Sequence, residues 1–161
     1  MTIPEAAVRL RRATAADAAV VAALNEPVQH LHRDAAPGRF APHDPAAVAG
    51  FFATQVAGDG LVWIADLAGR PAGYLYAVEV HRAAGPFTAD EHVLFVHHLG
   101  VDPAARRRGV GSALLAAAED HARAHRLSGL RLDSWLFNDG AHAFFRGLGF
   151  EPVRTRFARD L

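Results

Sequence analysis

The sequence predicts an α+β domain: a central mixed, mostly antiparallel sheet with helices on both faces. Two observations set the sheet. Three apolar runs of strand character, residues 61–66, 72–81 and 92–101, follow one another across short breaks, as in an antiparallel meander. A helical stretch, residues 109–126, then leads to another strand at 129–135, and a crossover through a helix returns a strand parallel to its neighbour. A third observation sets the layers: helical spacing recurs before the meander and after the crossover, which supplies helices for both faces. At 161 residues the chain is read as one domain, with a sizeable core and no repeat or linker.

Taken in order, Val8–Arg12 alternates as a short opening strand. Thr14 and Asp17 place a hydroxyl three residues before a carboxylate, a cap-like start for a helix over 18–24. Residues 26–45 carry Pro27, Pro37, Gly38, Pro42 and Pro45 among His and Arg, and are expected to be loop with one short helical piece. Residues 46–57 resume helical spacing, with Val48, Phe51, Phe52 and Val56 on one side. Gly69 sits in the hairpin connection at 67–71, and Gly85-Pro86 marks a loop over 81–91. In the helix at 109–126, Val110, Leu114, Ala117 and His121 share a face. A short helix is expected at 141–148, closed by Gly149 in a left-handed cap with Phe150 as its hydrophobic contact. Residues 150–158 are expected to form a final strand.

Composition narrows the function classes. Lys plus Arg and Asp plus Glu are equal at 17 each, so the basic excess of a nucleic-acid binder is missing. Without cysteine, disulfides, thiolate metal sites and a cysteine-bound acyl intermediate are ruled out. No long apolar run or signal peptide is visible, so a cytoplasmic protein with no membrane partner is expected.

The most informative stretch runs from Leu99 to Leu115: an apolar strand, a loop with Pro103, three arginines, then Gly109-Val110-Gly111-Ser112 opening a helix. A glycine-rich helix start leaves backbone N–H groups free to bind phosphate oxygens, assisted by the helix dipole. Arg106, Arg107 and Arg108 add full charge at the same mouth, so the stretch is read as a diphosphate clamp. A dinucleotide fingerprint is excluded because Leu114 stands at its third glycine position, and a P-loop because the motif lacks its lysine.

The pattern Arg106-x-x-Gly109-x-Gly111 after Leu99-x-Val101-x-Pro103 resembles the acyl-CoA-binding motif of the GNAT family of N-acetyltransferases. The opening residues 8–17, the stretch 132–138 and the segment 141–150 resemble further parts of that family in the same order, so the likeness spans nearly the whole chain. It implies a GNAT-like single domain over residues 1–161, with a splay between strands 4 and 5 that admits the pantetheine arm. It implies direct transfer of an acetyl group from acetyl-CoA to a primary amine of a small molecule or peptide in a ternary complex, with no metal; a homodimer is possible within it. The alternative is a non-catalytic CoA-binding regulatory module.

Carried onto this chain, the resemblance gives cofactor contacts to the backbone of Leu99 and Val101 and to Arg106–Ser112. It adds Asn138 and, on the helix before Gly149, Phe145. Phe145 departs from the family, many members of which have a tyrosine there to protonate the departing thiolate. Base candidates are His97, two residues before Leu99 as in arylalkylamine N-acetyltransferases, and Glu79 on the neighbouring strand. Strand alternation puts His97, Leu99 and Val101 on one face and His98 on the other. His32, Phe40 and Trp135 are expected to shape the acceptor pocket.

Overall fold

The computed structural model describes residues 7–161. Five strands, β1 (Val8–Arg12), β2 (Leu61–Leu67), β3 (Arg70–Arg82), β4 (Glu91–Val101) and β5 (Leu130–Leu132), form one sheet in sequence order. Neighbours are antiparallel except β4 and β5, which run parallel through the crossover helix α3 (Val110–Ala124). Ala68 and Gly69 both take positive φ, the two-residue turn whose twist suits a hairpin between β2 and β3.

Two apolar cores flank the sheet. On one face α1 (Ala18–Ala35) and α2 (Pro45–Ala57) bury Val21, Leu24 and Phe52 against Val62, Ile64, Tyr74 and Tyr76. On the other, α3 buries Val110, Leu114, Leu115 and Ala118 against Leu75, Ala77, Leu94 and Val96, with Phe144 and Phe145 of α4 (Asp139–Gly147) packed at the margin. Gly73 of β3 makes the close seating of α3 possible. A Cβ there would lie 2.8 Å from both Gly100 C=O and Val110 Cγ1.

Three elements differ from expectation. Helix α1 does not stop near residue 24 but continues through Pro27 to Ala35. Pro27 forfeits one backbone hydrogen bond, yet tertiary contacts hold the helix on both sides of it. Asn25 donates to Tyr74 Oη at 2.8 Å, and His32 Nδ1 caps Val28 C=O at 2.7 Å. Strand β5 is confined to three residues and leaves Trp135 outside it. The expected final strand at 150–158 does not form: residues 151–161 are exposed and belong to no element. The period-two pattern Val153, Thr155, Phe157 is present, but Pro152 lacks a donor at its start and no strand edge among the described residues pairs with the segment.

Candidate active site

The sheet opens where β5 ends. Pairing between β4 and β5 covers Leu94–Leu130, Phe95–Arg131 and Val96–Leu132, after which β4 runs on to Val101 with β3 on one edge and no strand on the other. Leu99 and Val101 lie on this open stretch with their side chains packed towards the α3 core.

At the start of the opening the register slips. Tyr76 stands opposite His98 and Ala77 opposite Val96, so His97 is the extra residue of a bulge. The expected alternation therefore fails, because a bulge re-aims the side chains that follow it. His97 stacks on Tyr76 with ring centroids 5.3 Å apart, and His98 packs edge-on against Phe52 at 5.8 Å, so both belong to the α1–α2 face. Leu99 points to the opposite face.

The two histidines are in different electrostatic states. Asn25 Nδ2 donates to Tyr74 Oη, and Tyr74 Oη lies 3.2 Å from His98 Nδ1. With Asn25 as donor, the Tyr74 hydroxyl gives its proton to Nδ1, which leaves the His98 proton on Nε2. Burial, with His97 and His32 nearby, pushes His98 down to about 4, so it is neutral at pH 7 and its lone pair is committed. Burial also raises the Tyr74 phenol, and the Tyr76 hydroxyl donates to Gln55 Oε1 at 2.8 Å. Both tyrosine hydroxyls are thus engaged by protein partners. His97 is lowered by partial burial, against the opposing pull of Asp133, and among the described residues its ring nitrogens have no protein partner.

Glu79 does not join this group. From Tyr76 the strand alternates to Glu79 on the α3 face, where its Oε1 lies 2.8 Å from His121 Nε2 and 3.0 Å from His125 Nδ1. The sheet stands between Glu79 and His97, and Glu79 is removed as a base candidate. Only the periodicity of β3 together with the site of α3 packing reveals this.

Beyond the open edge, a 3₁₀ turn (Pro103–Ala105) leads to Arg106, Arg107, Arg108 and α3. Gly109 is the residue before the helix, at φ 78°, and no side chain caps the first turn. A Cβ on Gly109 would meet nothing within 4 Å, so the left-handed backbone is what calls for glycine there and the space in front is open. Gly111 serves a different purpose. A Cβ on it would lie 3.0 Å from Phe144 Cζ, so its absence lets α4 pack on α3. Among the described residues, Arg106, Arg107 and Arg108 form no ion pair, which leaves their charge available for a ligand. These groups fit a diphosphate.

Asn138 caps α4 by accepting from Ala141 N–H at 3.2 Å. Phe145 is fixed by the end of the same helix. Phe150 N–H reaches Phe145 C=O, Gly149 N–H reaches Arg146 C=O, and the Phe145 and Phe150 rings meet at 5.7 Å. His32, Phe40 and Trp135 do come together. His32 lies 4.9 Å from Phe40, and Phe40 lies 5.2 Å from Trp135. Phe137, overlooked in the sequence, completes the cluster at 5.7 Å from His32 and 6.1 Å from Trp135. Asp133 was also missed as a charge acting on His97; it directly follows Leu132, the β5 partner of Val96, and that pairing is set by the tertiary fold.

The model of the acetyltransferase (GNAT) family matches residues 11–150. Solved structures share the fold. A mutant of the BH1408 protein from Bacillus halodurans is 25% identical, with 95% of this chain and 99% of that one covered and a TM-score of 0.89. The aminoglycoside N-acetyltransferase AAC(6')-Iy in complex with CoA is 22% identical, with 99% of each chain covered and a TM-score of 0.71. A transcriptional regulator from Bacillus halodurans C-125 is 18% identical, with 96% and 100% covered and a TM-score of 0.71. Among curated proteins no sequence match was found. No helix of the described residues is long and apolar enough to cross a membrane.

The depressed His98 makes stability depend on pH. Unfolded histidine binds a proton below about 6.5 while folded His98 stays neutral down to about 4, so stability is full above pH 6.5 and falls across that window. The slope attributable to this residue is at most about 1.4 kcal/mol per pH unit. Urea unfolding at pH 7 and pH 5 should show the loss in the parent chain, and a smaller one in His98→Gln.

Proposed function

The chain belongs to the acetyltransferase (GNAT) family, and from that premise we propose that it is an N-acetyltransferase. In this reading it moves the acetyl group of acetyl-CoA directly to a primary amine of a small molecule or peptide, in the cytoplasm. The observation that carries the reading is the unpaired edge of β4 beyond Val96, lying beside an uncapped helix start and three unpaired arginines.

Acetyl-CoA supplies the thioester, whose C–S bond breaks as the amine nitrogen forms the new C–N bond. Arg106, Arg107, Arg108 and the N–H groups over Gly109–Ser112 hold the diphosphate, and Asn138 offers its free amide nitrogen to the arm. The open backbone at Leu99 and Val101 receives the arm like a short strand, and an N–H there polarises the acetyl oxygen. Neutral His97 takes the first ammonium proton before attack, directly or through water, and Asp133 beside it attracts the incoming ammonium. The second amine proton passes to solvent as the C–S bond breaks. The thiolate leaves without a protein acid, since Phe145 has no hydroxyl and both tyrosines are engaged. An alkyl thiol with pKa about 8.5 tolerates this near neutral pH. His32, Phe40, Trp135 and Phe137 form an aromatic wall for the acceptor.

Phe145 also favours the second reading, a CoA-binding regulatory module without turnover. Thiol release from acetyl-CoA across amines, diamines, aminoglycosides and peptides separates the two: turnover with any acceptor supports the enzyme. A homodimer completes the proposal. The outer edge of β5 has no strand among the described residues, and residues 153–157 alternate Val, Thr and Phe with arginine. In a dimer this arm pairs with the sheet edge of a second copy. Light scattering should give twice the chain mass, and a single-chain mass removes the dimer.

Two substitutions test the roles. His97→Ala should lower turnover by roughly 10²–10⁴-fold with CoA affinity retained, and the acidic limb of the parent pH–rate profile should lie below 6.5 because His97 is lowered. An unchanged limb in His97→Ala excludes it as base. Gly109→Leu places a side chain at a positive φ in front of the helix start. Calorimetry should show a severe loss of CoA affinity, and retained affinity with the fold intact overturns the clamp.

A further inference from the structure

Across the sheet from His97, at the far end of α3, the structure gathers a second group of ionisable side chains. His121 and His125 stand one helical turn apart, and that spacing stacks their rings 4.0 Å centroid to centroid. Glu79 of β3 meets both of them with the same oxygen, Oε1, at 2.8 Å from His121 Nε2 and 3.0 Å from His125 Nδ1. One donor atom from each of the three residues falls within 4.8 Å of the others. Trp63 packs edge-on against His121 at 5.7 Å and fixes its ring. His92 Nε2 lies 3.7 Å from the other Glu79 oxygen.

We propose that Glu79, His121 and His125 form a binding site for a divalent transition-metal cation of the zinc type. Two imidazole nitrogens and one carboxylate are the donors that such ions take, and hard cations such as Mg²⁺ are poorly matched to them. Tetrahedral zinc with ligand bonds near 2.0–2.1 Å sets its donors about 3.3 Å apart. The observed 2.8 and 3.0 Å need a few tenths of an ångström of opening. Binding also requires the stacked rings to rotate so that both lone pairs converge, which the exposed His125 ring is free to do once the metal displaces the His121–Glu79 hydrogen bond. The location adds a field of the right sign, since the last turn of a helix carries partial negative charge. The site is enclosed on the Trp63 side and open at His125, whose side chain is 51% exposed, so an ion has a way in. His92 or water supplies a fourth ligand. Such an ion clips the end of α3 to β3 and takes no part in acetyl transfer, because the sheet separates it from His97.

The test uses the full chain without a histidine tag, stripped with chelator and titrated with Zn²⁺ by calorimetry, then with Co²⁺ by visible absorption. One Zn²⁺ per chain is expected, with a Co²⁺ spectrum typical of four or five ligands. His125→Ala, at the exposed end of the helix, and Glu79→Gln should each weaken binding by at least about 10–100-fold, the range known for loss of a mere supporting hydrogen bond. The double variant His30→Ala, His43→Ala, which alters a histidine pair on α1 and the loop before α2 with rings 6.2 Å apart, should bind as the parent does. Absence of stoichiometric binding in the parent overturns the proposal. So does unchanged binding in His125→Ala, or loss of binding in the His30, His43 variant.

Discussion

Beyond Val96 the backbone of β4 has β3 on one edge and, among the described residues, no strand on the other, and a strand edge inside a fold must find partners for its amides and carbonyls. The rest of the molecule is arranged around that requirement. The parallel partner β5 ends after three residues, so the sheet parts there instead of closing. The bulge at His97 occurs at the same level, where the strand is released from one neighbour and can twist more strongly. The chain then passes through the 3₁₀ turn and the three arginines to the start of α3, next to the open end of β4. In the proposed reading, an extended ligand arm ending in a diphosphate answers both sets of unpaired groups at once.

The sheet also divides the polar groups of the interior. On the α1–α2 face, Asn25, Tyr74 and His98 form a hydrogen-bonded chain through the Tyr74 hydroxyl, and burial keeps His98 neutral. That chain is costly to leave half satisfied, so it fixes how α1 sits on the sheet next to the bulge. On the α3 face, Glu79 and its two histidines occupy the end of the helix away from the glycine start. The two glycines of that start divide their labour similarly: Gly109 is set by backbone conformation and Gly111 by the ring of Phe144.

Much of this was legible along the chain because it depends on neighbours in sequence. The meander, the crossover helix, the glycine-rich helix start and the left-handed cap at Gly149 are local patterns, and each appears within a few residues of its expected place. The misjudged elements all depend on distant partners. Proline density argued for loop at residues 26–35, yet contacts to Tyr74 and Gly100 carry α1 across Pro27. Alternation suggested a strand at 150–158, yet no edge among the described residues takes it up.

The sequence by itself determined the antiparallel meander, the parallel crossover through a helix, the helices on the two faces and the basic glycine loop before α3, since periodicity, turn residues and charge act over short range. Only the tertiary structure decided which side chains share a site. A single-residue bulge moved His97 and His98 onto one face, while regular alternation of β3 left Glu79 on the other, where α3 supplies its histidine partners. The reason is that strand alternation is a rule of period two, and one inserted residue reassigns every side chain that follows it, while the partner a side chain meets is set by the element packed on its face.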